Sequence, residues 1–229
     1  MTVELEPLFA LRLRTPRLEL RPPTHEELVE LRELARTGVH APDAMPFQYA
    51  WTDEPYSEDW VVRFHEERRE AWRPEAWALA LGVWEGGSLA GLQEATANDF
   101  AATRTVTTGS WLALSFQGRG IGTEMRAAIL ELAFRGLGAA VARSGALDGN
   151  DASARVSEKL GYRAAGRSTV APRGVEVGHT DFELRREDWS PPLPVEIEGL
   201  EPCLPLFGVG PRGRVVRAGA PRSSSPARG

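Results

Sequence analysis

The stretch Gln117-Gly118-Arg119-Gly120-Ile121-Gly122 constrains this chain more than any other. It follows a strand-like run, Val106 to Leu114, and leads into Ile121, Met125, Ala128, Ile129, Leu132 and Ala133, which recur at helical spacing up to about Arg135. A glycine-rich turn opening into a helix leaves several backbone N–H groups without an intrahelical acceptor, at the positive end of the helix dipole. Such a turn is an anion site. Gly120 and Gly122 remove the Cβ atoms that would hold a phosphate off the backbone, and Arg119 adds a charge at the rim. The sequence excludes two phosphate loops. No G-x-x-x-x-G-K-[S/T] string occurs, and a dinucleotide fingerprint starting at Gly118 requires Gly or Ala where Thr123 stands. The pattern Q/R-x-x-G-x-G/A matches through Gln117, Gly120 and Gly122.

The flanking sequence supplies a scaffold for this unit. Leu11-Arg12-Leu13-Arg14 and Leu18-Glu19-Leu20-Arg21 alternate apolar and charged residues around Pro16, which predicts a bent strand. Thr24 and Glu27 form a capping box for a helix with the stripe Leu28, Leu31, Leu34 and Ala35. A connection over 38–56 is rich in proline and aromatics. Ser57 is the expected N-cap of a second helix, with Trp60, Val61, Phe64 and Arg68 on one face. Trp77–Trp84 and Leu89–Thr96 predict a hairpin about Glu85-Gly86-Gly87-Ser88. After the central helix, with Gly136 or Gly138 as its stop, come a strand over Ala139–Leu147, a turn ending in Asn150 and a helix over about Ala152–Leu160. Strands near 163–170 and 176–184 complete the order. This predicts a mixed α/β domain over 1–189. An extension over 190–207 with one strand near Val195–Glu198 follows, then a basic tail over 208–229 too poor in apolar surface to order itself.

Charge and cysteine content narrow the function. Residues 208–229 carry five arginines and no acid, so against a whole-chain charge of −5 the remainder stands at −10. An acidic body suits cationic amine substrates and is a poor scaffold for nucleic acid. Cys203 is the one cysteine and the four histidines are scattered, so neither a disulfide nor a metal site is expected. No apolar run approaches the roughly 18–20 residues that span a bilayer, and Leu8–Leu11 is too short for a signal-peptide core. The expectation is a cytoplasmic monomer or homodimer that does not engage membranes.

The Gln117–Gly122 pattern resembles the coenzyme A loop of the GCN5-related N-acetyltransferase (GNAT) superfamily. Trp111-Leu112-Ala113-Leu114 resembles that family's bulged strand before the loop. Asn150-Asp151-Ala152-Ser153-Ala154-Arg155-Val156-Ser157-Glu158-Lys159-Leu160-Gly161-Tyr162 resembles its N-x-x-S…E-K-L-G-[F/Y] segment. Leu13-Arg14-Thr15-Pro16-Arg17-Leu18-Glu19-Leu20-Arg21-Pro22 is similar to the first strand of the branch containing ribosomal-protein N-terminal acetyltransferases. The resemblance covers residues 12 to about 189. It implies a mostly antiparallel mixed sheet flanked by about four helices, with a V-shaped splay for acetyl-CoA. It also implies acetyl transfer from acetyl-CoA, as co-substrate and without a metal, to a primary amine of a small molecule or a peptide or protein N-terminus. An acyl-CoA-binding sensor with the same fold is the alternative.

For site residues the resemblance implies donor binding by Leu112, Ala113, Leu114, Gln117, Gly118, Arg119, Gly120, Ile121, Gly122, Thr123, Asn150 and Ser153. Backbone N–H near Leu112 takes the oxyanion role. Ser157 stands where many relatives carry a tyrosine, as general acid or water-holder, or it is a polar residue on an exposed helix face. Asn150 holds the pantetheine or an ordered water, or it caps a helix. Glu94, with Asp99 behind it, is the candidate base, against the reading of a solvent-facing strand carboxylate. Phe47 and Tyr49 are expected at the acceptor pocket and Trp51 in the core.

Overall fold

The computed structural model describes residues 3–53 and 60–210. Ser57, Pro55 and Tyr56 lie outside the described residues, as does the basic stretch 211–229. The chain runs β1 (Arg12–Arg14), β2 (Leu18–Arg21), α1 (His25–Arg36), α2 (Trp60–Glu70), β3 (Ala76–Glu85), β4 (Ser88–Asn98), α3 (Phe100–Thr103) and β5 (Thr105–Leu112). It continues through α4 (Ile121–Glu131), β6 (Val141–Leu147), α5 (Asp151–Lys159), β7 (Arg163–Val170), β8 (Val177–Arg185) and β9 (Glu196–Glu198). The nine strands form one sheet in the order β7-β8-β6-β5-β4-β3-β2-β1-β9.

Local signals account for most boundaries. The Thr24–Glu27 capping box is formed at α1. Gly86 and Gly87 have φ of +55° and +83°, the pair of positive values that a tight hairpin turn demands. Gly138, at φ +69°, ends the α4 region after a π turn over Leu132–Gly136. One sheet face packs Leu79, Leu81, Val83 and Val106 against Met125, Ile129 and Leu132 of the α4 segment. The other packs Leu92 against Leu28 and Leu31 of α1 and Val62 of α2.

All neighbouring strands are antiparallel except β5 and β6. These two pair only as Thr105↔Val141, Val106↔Ala142 and Thr107↔Arg143. Beyond that point β5 stays bonded to β4 and β6 to β8, and the sheet opens into two leaves. Arg126 of α4 lies under the opening, donating to Ser144 Oγ on one leaf at 2.8 Å and Ser110 Oγ on the other at 3.2 Å.

Three expectations are revised. The strand before the glycine loop stops at Leu112, because Leu114 N donates to Gly38 O (3.0 Å) and draws the chain off β4 into a 3-10 turn over Leu114–Phe116. The buried face of α2 is Val61, Val62 and His65, while Phe64 sits to the side, stacked on Trp60 at 4.9 Å. The extension after Ser190 is built into the main sheet and core. β9 pairs with β1, Trp72 Nε1 donates to Leu206 O (2.8 Å), and the fully buried Phe207 packs edge-on to Trp77 at 4.9 Å. Ordered chain continues past Gly208, since Val209 is also fully buried.

Candidate active site

The loop before α4 presents a row of unused donors. Gly118 and Gly120 adopt φ of +73° and +82°, a conformation that side chains with a Cβ resist. The amides of residues 118–122 donate to no backbone carbonyl, whereas Thr123 N and Glu124 N both turn back to Gly120 O at 3.2 Å. Nothing lies within 4 Å of a Cβ placed on Gly118. Gln117 braces the turn from inside, with Nε2 donating to Leu112 O and Val39 O, both at 2.8 Å. Arg119 is paired with Glu85 at 2.6 Å.

A second cation here was not singled out in the sequence. Arg17 donates to Arg119 O at 3.0 Å, and its Nη2 stands 3.4 Å from a Cβ built on Gly120. Glu124, in the first turn of α4, holds it at 2.6 Å and accepts from Thr15 Oγ1 at 2.6 Å. The signal for this latch was an acid in the first helical turn facing the Thr15-Pro16-Arg17 bend, but the two are over a hundred residues apart.

Strand alternation aims backbone groups into the splay. Ala113 N donates to Ala90 O at 3.0 Å, so Leu112 and Gly91 form a non-hydrogen-bonded pair, and the N–H of Leu112 points away from β4 into the gap. Ala113 and Leu114 spend their amides on Ala90 and Gly38, so of these three expected donor-side residues only Leu112 offers an N–H to the gap. On the other leaf, Asp148 N donates to Gly178 O and Arg186 N to Ala140 O, at 2.8 and 3.0 Å. The same alternation points the Gly145 N–H and C=O at the gap.

The face carrying α1 and α2 is the open one. Counting two residues past Thr107↔Arg143 places Gly109 and Gly145 side by side on it, with no side chain from either. Glu94 stands directly across β4–β5 from Gly109. Arg68 of α2 holds its carboxylate at 2.9 Å, and His65 Nδ1 is 3.9 Å away. Burial pushes the Glu94 carboxyl up and Arg68 opposes it. Burial, with Arg68 and Arg69 adding to it, drives His65 down to about 3, so it is neutral. The connection after α1 crosses this face from one leaf to the other. Trp51 packs on Trp111 (5.8 Å) and Phe47 on Trp51 (4.9 Å). At its far end Asp53 takes two hydrogen bonds from Arg173, of 2.5 and 2.6 Å.

The model of the acetyltransferase (GNAT) domain matches residues 17–163, well over half of the chain. The chain belongs to the GNAT acetyltransferase family. It is therefore an acetyl-CoA-dependent acyltransferase. Among similar solved structures is Mycobacterium smegmatis RimJ in complex with CoA-disulfide, at 19% identity and TM-score 0.64, covering 79% of this chain and 90% of that one. RimL, a ribosomal L7/L12 alpha-N-protein acetyltransferase, matches at 18% identity and TM-score 0.58 over 75% of this chain and 91% of that one. The microcin C7 self-immunity acetyltransferase MccE, in complex with acetyl-CoA and AMP, matches at 18% identity and TM-score 0.58 over 74% and 93%. At these identities the likeness is one of fold.

Within the GNAT domain the other expected residues take definite places. Asn150 caps α5, accepting from Ser153 N at 3.2 Å, while its Nδ2 donates to Pro46 O at 3.2 Å and ties the connection down. Ser157 is fully buried rather than on an exposed helix face, and its hydroxyl donates to Ser153 O at 3.1 Å. Ser153 Oγ reaches Gly145 O at 3.5 Å. Asp99, the second candidate base, is exposed just past the end of β4, with φ +47°. Tyr49 is 80% exposed and forms no part of the aromatic wall that Phe47 and Trp51 share. Among the described residues no cluster of His, Cys, Asp and Glu is arranged to hold a metal ion, and no helix is long and apolar enough to cross a membrane.

Proposed function

We propose that the chain is an N-acetyltransferase acting on a primary amine, and among amines on an α-amine of a peptide or small molecule. One observation carries the reading: the splay has unspent amides on its donor side and an open floor at Gly109 on its acceptor side. The residues fit acetyl-CoA. Amides 118–122 and Arg17 would hold the pyrophosphate, and the backbone of Gly145, which faces the gap, would meet the pantetheine arm. Bound acetyl-CoA supplies an activated acyl carbon as a thioester.

The protein's part is positioning and charge stabilisation. Leu112 N–H, fixed by the β4–β5 ladder, is aimed where an oxyanion develops. Ser157 gives its own proton to Ser153 O, so its lone pairs are free to hold the water that protonates the leaving sulfur. Glu94, gripped by Arg68 and directly across from Gly109, would receive the amine. An α-amine is neutral roughly 14% of the time at pH 7 against about 0.04% for a lysine side chain, so it places the smaller demand on a base. The N-terminal substrate named for RimL and the −10 charge of residues 1–207 support the same choice.

Thiol release from acetyl-CoA against a panel of peptides, aminoglycosides, amino acids and polyamines tests this reading, with CoA, ATP and NAD affinities measured beside it. Release with α-amine acceptors supports it. Tight CoA binding without release from any amine replaces it with a non-catalytic acyl-CoA sensor, and ATP binding without CoA binding removes it.

A further inference from the structure

Opposite Glu94, across the open floor, the β6–β8 leaf carries a buried histidine. The ring of His179 lies on Gly145: a Cβ there would sit 2.2 Å from Nε2, so only glycine lets the imidazole rest against β6. Because the Gly145 N–H and C=O face the gap, Nε2 stands beside the splay on its acceptor side. Its Nδ1 edge faces Asp181 Oδ1 at 3.3 Å and Ser168 Oγ at 3.4 Å. A carboxylate at Nδ1 keeps the ring proton there and leaves the lone pair on Nε2.

Nε2 meets the side-chain amide of Gln48 at 2.7 Å, the amide nitrogen being the donor to that lone pair. Gln48 is exposed and belongs to the connection that crosses the open face. An N–H donor therefore already occupies the place where an amine would stand. Other charged groups packed on this face of the leaf have their own partners: Arg143 pairs with Glu183 at 3.5 Å, and Asp53 with Arg173.

We infer that His179, oriented by Asp181, is the base that takes the proton of the acceptor amine once the amine displaces Gln48. This rests on the acetyltransferase reading above. As the amine nitrogen bonds the acyl carbon, the C–S bond breaks and its electron pair goes to sulfur. The surplus proton on nitrogen passes to Nε2, sulfur takes a proton from the water held by Ser157, and the imidazolium's proton, relayed through bulk water, turns the hydroxide left there back into water. An amide and the CoA thiol leave, and the count closes. Asp181, half-exposed and separated from the amine by the imidazole ring, is a positioning residue.

The test measures kcat/KM against pH at saturating acetyl-CoA for the wild type, His179→Gln and Asp181→Asn, with CoA affinity by calorimetry. His179→Gln is expected to lose about a hundredfold in kcat or more and the acid limb of the pH profile, with CoA affinity held within about twofold. Asp181→Asn is expected to lose about tenfold in kcat and keep a displaced limb, the behaviour of an orienting group. A His179→Gln protein that binds CoA as the wild type does, and keeps both rate and limb, overturns the inference. If that variant loses CoA affinity, Asp181→Asn decides alone: an unmoved limb overturns the inference and a displaced one supports it. A wild type that binds CoA and acetylates no amine overturns the parent reading instead.

Discussion

The donor and acceptor sides of the splay are assembled in opposite ways. On the donor side all the free amides but that of Gly145 come from one continuous stretch, residues 112–122, and the turn geometry that exposes those of the loop is written into Gly118 and Gly120. On the acceptor side Glu94, Gly109, Gly145 and His179 come from four strands whose register places them on one face, and Gln48 reaches His179 from the connection that crosses it. The first side is local geometry with a long-range brace, Arg17 on Glu124. The second is long-range placement throughout. A donor common to many acceptors suits a local motif, and an acceptor that differs between relatives suits loops and single side chains on a rigid frame.

If that contrast holds, damage to the donor side is the more severe and acts on CoA affinity. Gly120→Val forces a β-branched residue to φ +82° at the N-terminus of α4. Strain and a blocked amide together cost about 3 kcal/mol, so calorimetry is expected to show a roughly hundredfold loss of CoA affinity. An unchanged affinity would break the assignment of the loop to the pyrophosphate.

The acceptor side is expected to separate activity from donor binding. Gly145→Ala drives a methyl into the His179 ring and lowers stability by about 1–3 kcal/mol in urea unfolding, with acetyl transfer suppressed more strongly than CoA affinity. Gly109→Ala adds its methyl to open space, so stability stays level while the acceptor KM rises. Equal stability losses in the two variants would contradict the packing asymmetry between the leaves.

A pH effect sharpens the contrast within the acceptor side. His65 has its folded-state pKa driven by burial from 6.5 to about 3, so between those values the unfolded chain binds the extra proton. Stability therefore falls as the pH is lowered through that window, by up to about 1.4 kcal/mol per unit from this group. The raised carboxyl of Glu94 acts in the opposite sense, so the comparison to make is wild type against His65→Leu, whose unfolding free energy is expected to lose the smaller amount between pH 6.5 and 4.5. The smallest effect belongs to the Asp53–Arg173 latch, which is about one-third exposed at both ends. Arg173→Ala is expected to leave the urea unfolding midpoint close to that of the wild type and to appear chiefly as a higher acceptor KM.

Periodicity and turn chemistry made nearly every strand and helix legible, because period-two alternation, capping boxes and paired glycines are set by neighbours within a few residues. They missed where an element meets distant chain. Leu114 leaves β5 for the carbonyl of Gly38, the buried face of α2 includes His65 rather than Phe64, and Val209 is held by the same core as Trp77. Asn150 illustrates the boundary: its cap on α5 is local, but its bond to Pro46 O is not.

By itself the sequence determined the anion turn, the strand–loop–helix unit that carries it and the family resemblance, since each depends on backbone freedom and spacing over a dozen residues. Only the tertiary structure decided that Glu94 is gripped by Arg68, that Arg17 reaches the loop, and that His179 lies on Gly145 beside the open floor. Those contacts depend on the register of β4 with β5 and of β6 with β8, and on the point where β5 and β6 part. Register is a sum over many cross-strand pairs, so no short window of the chain contains it.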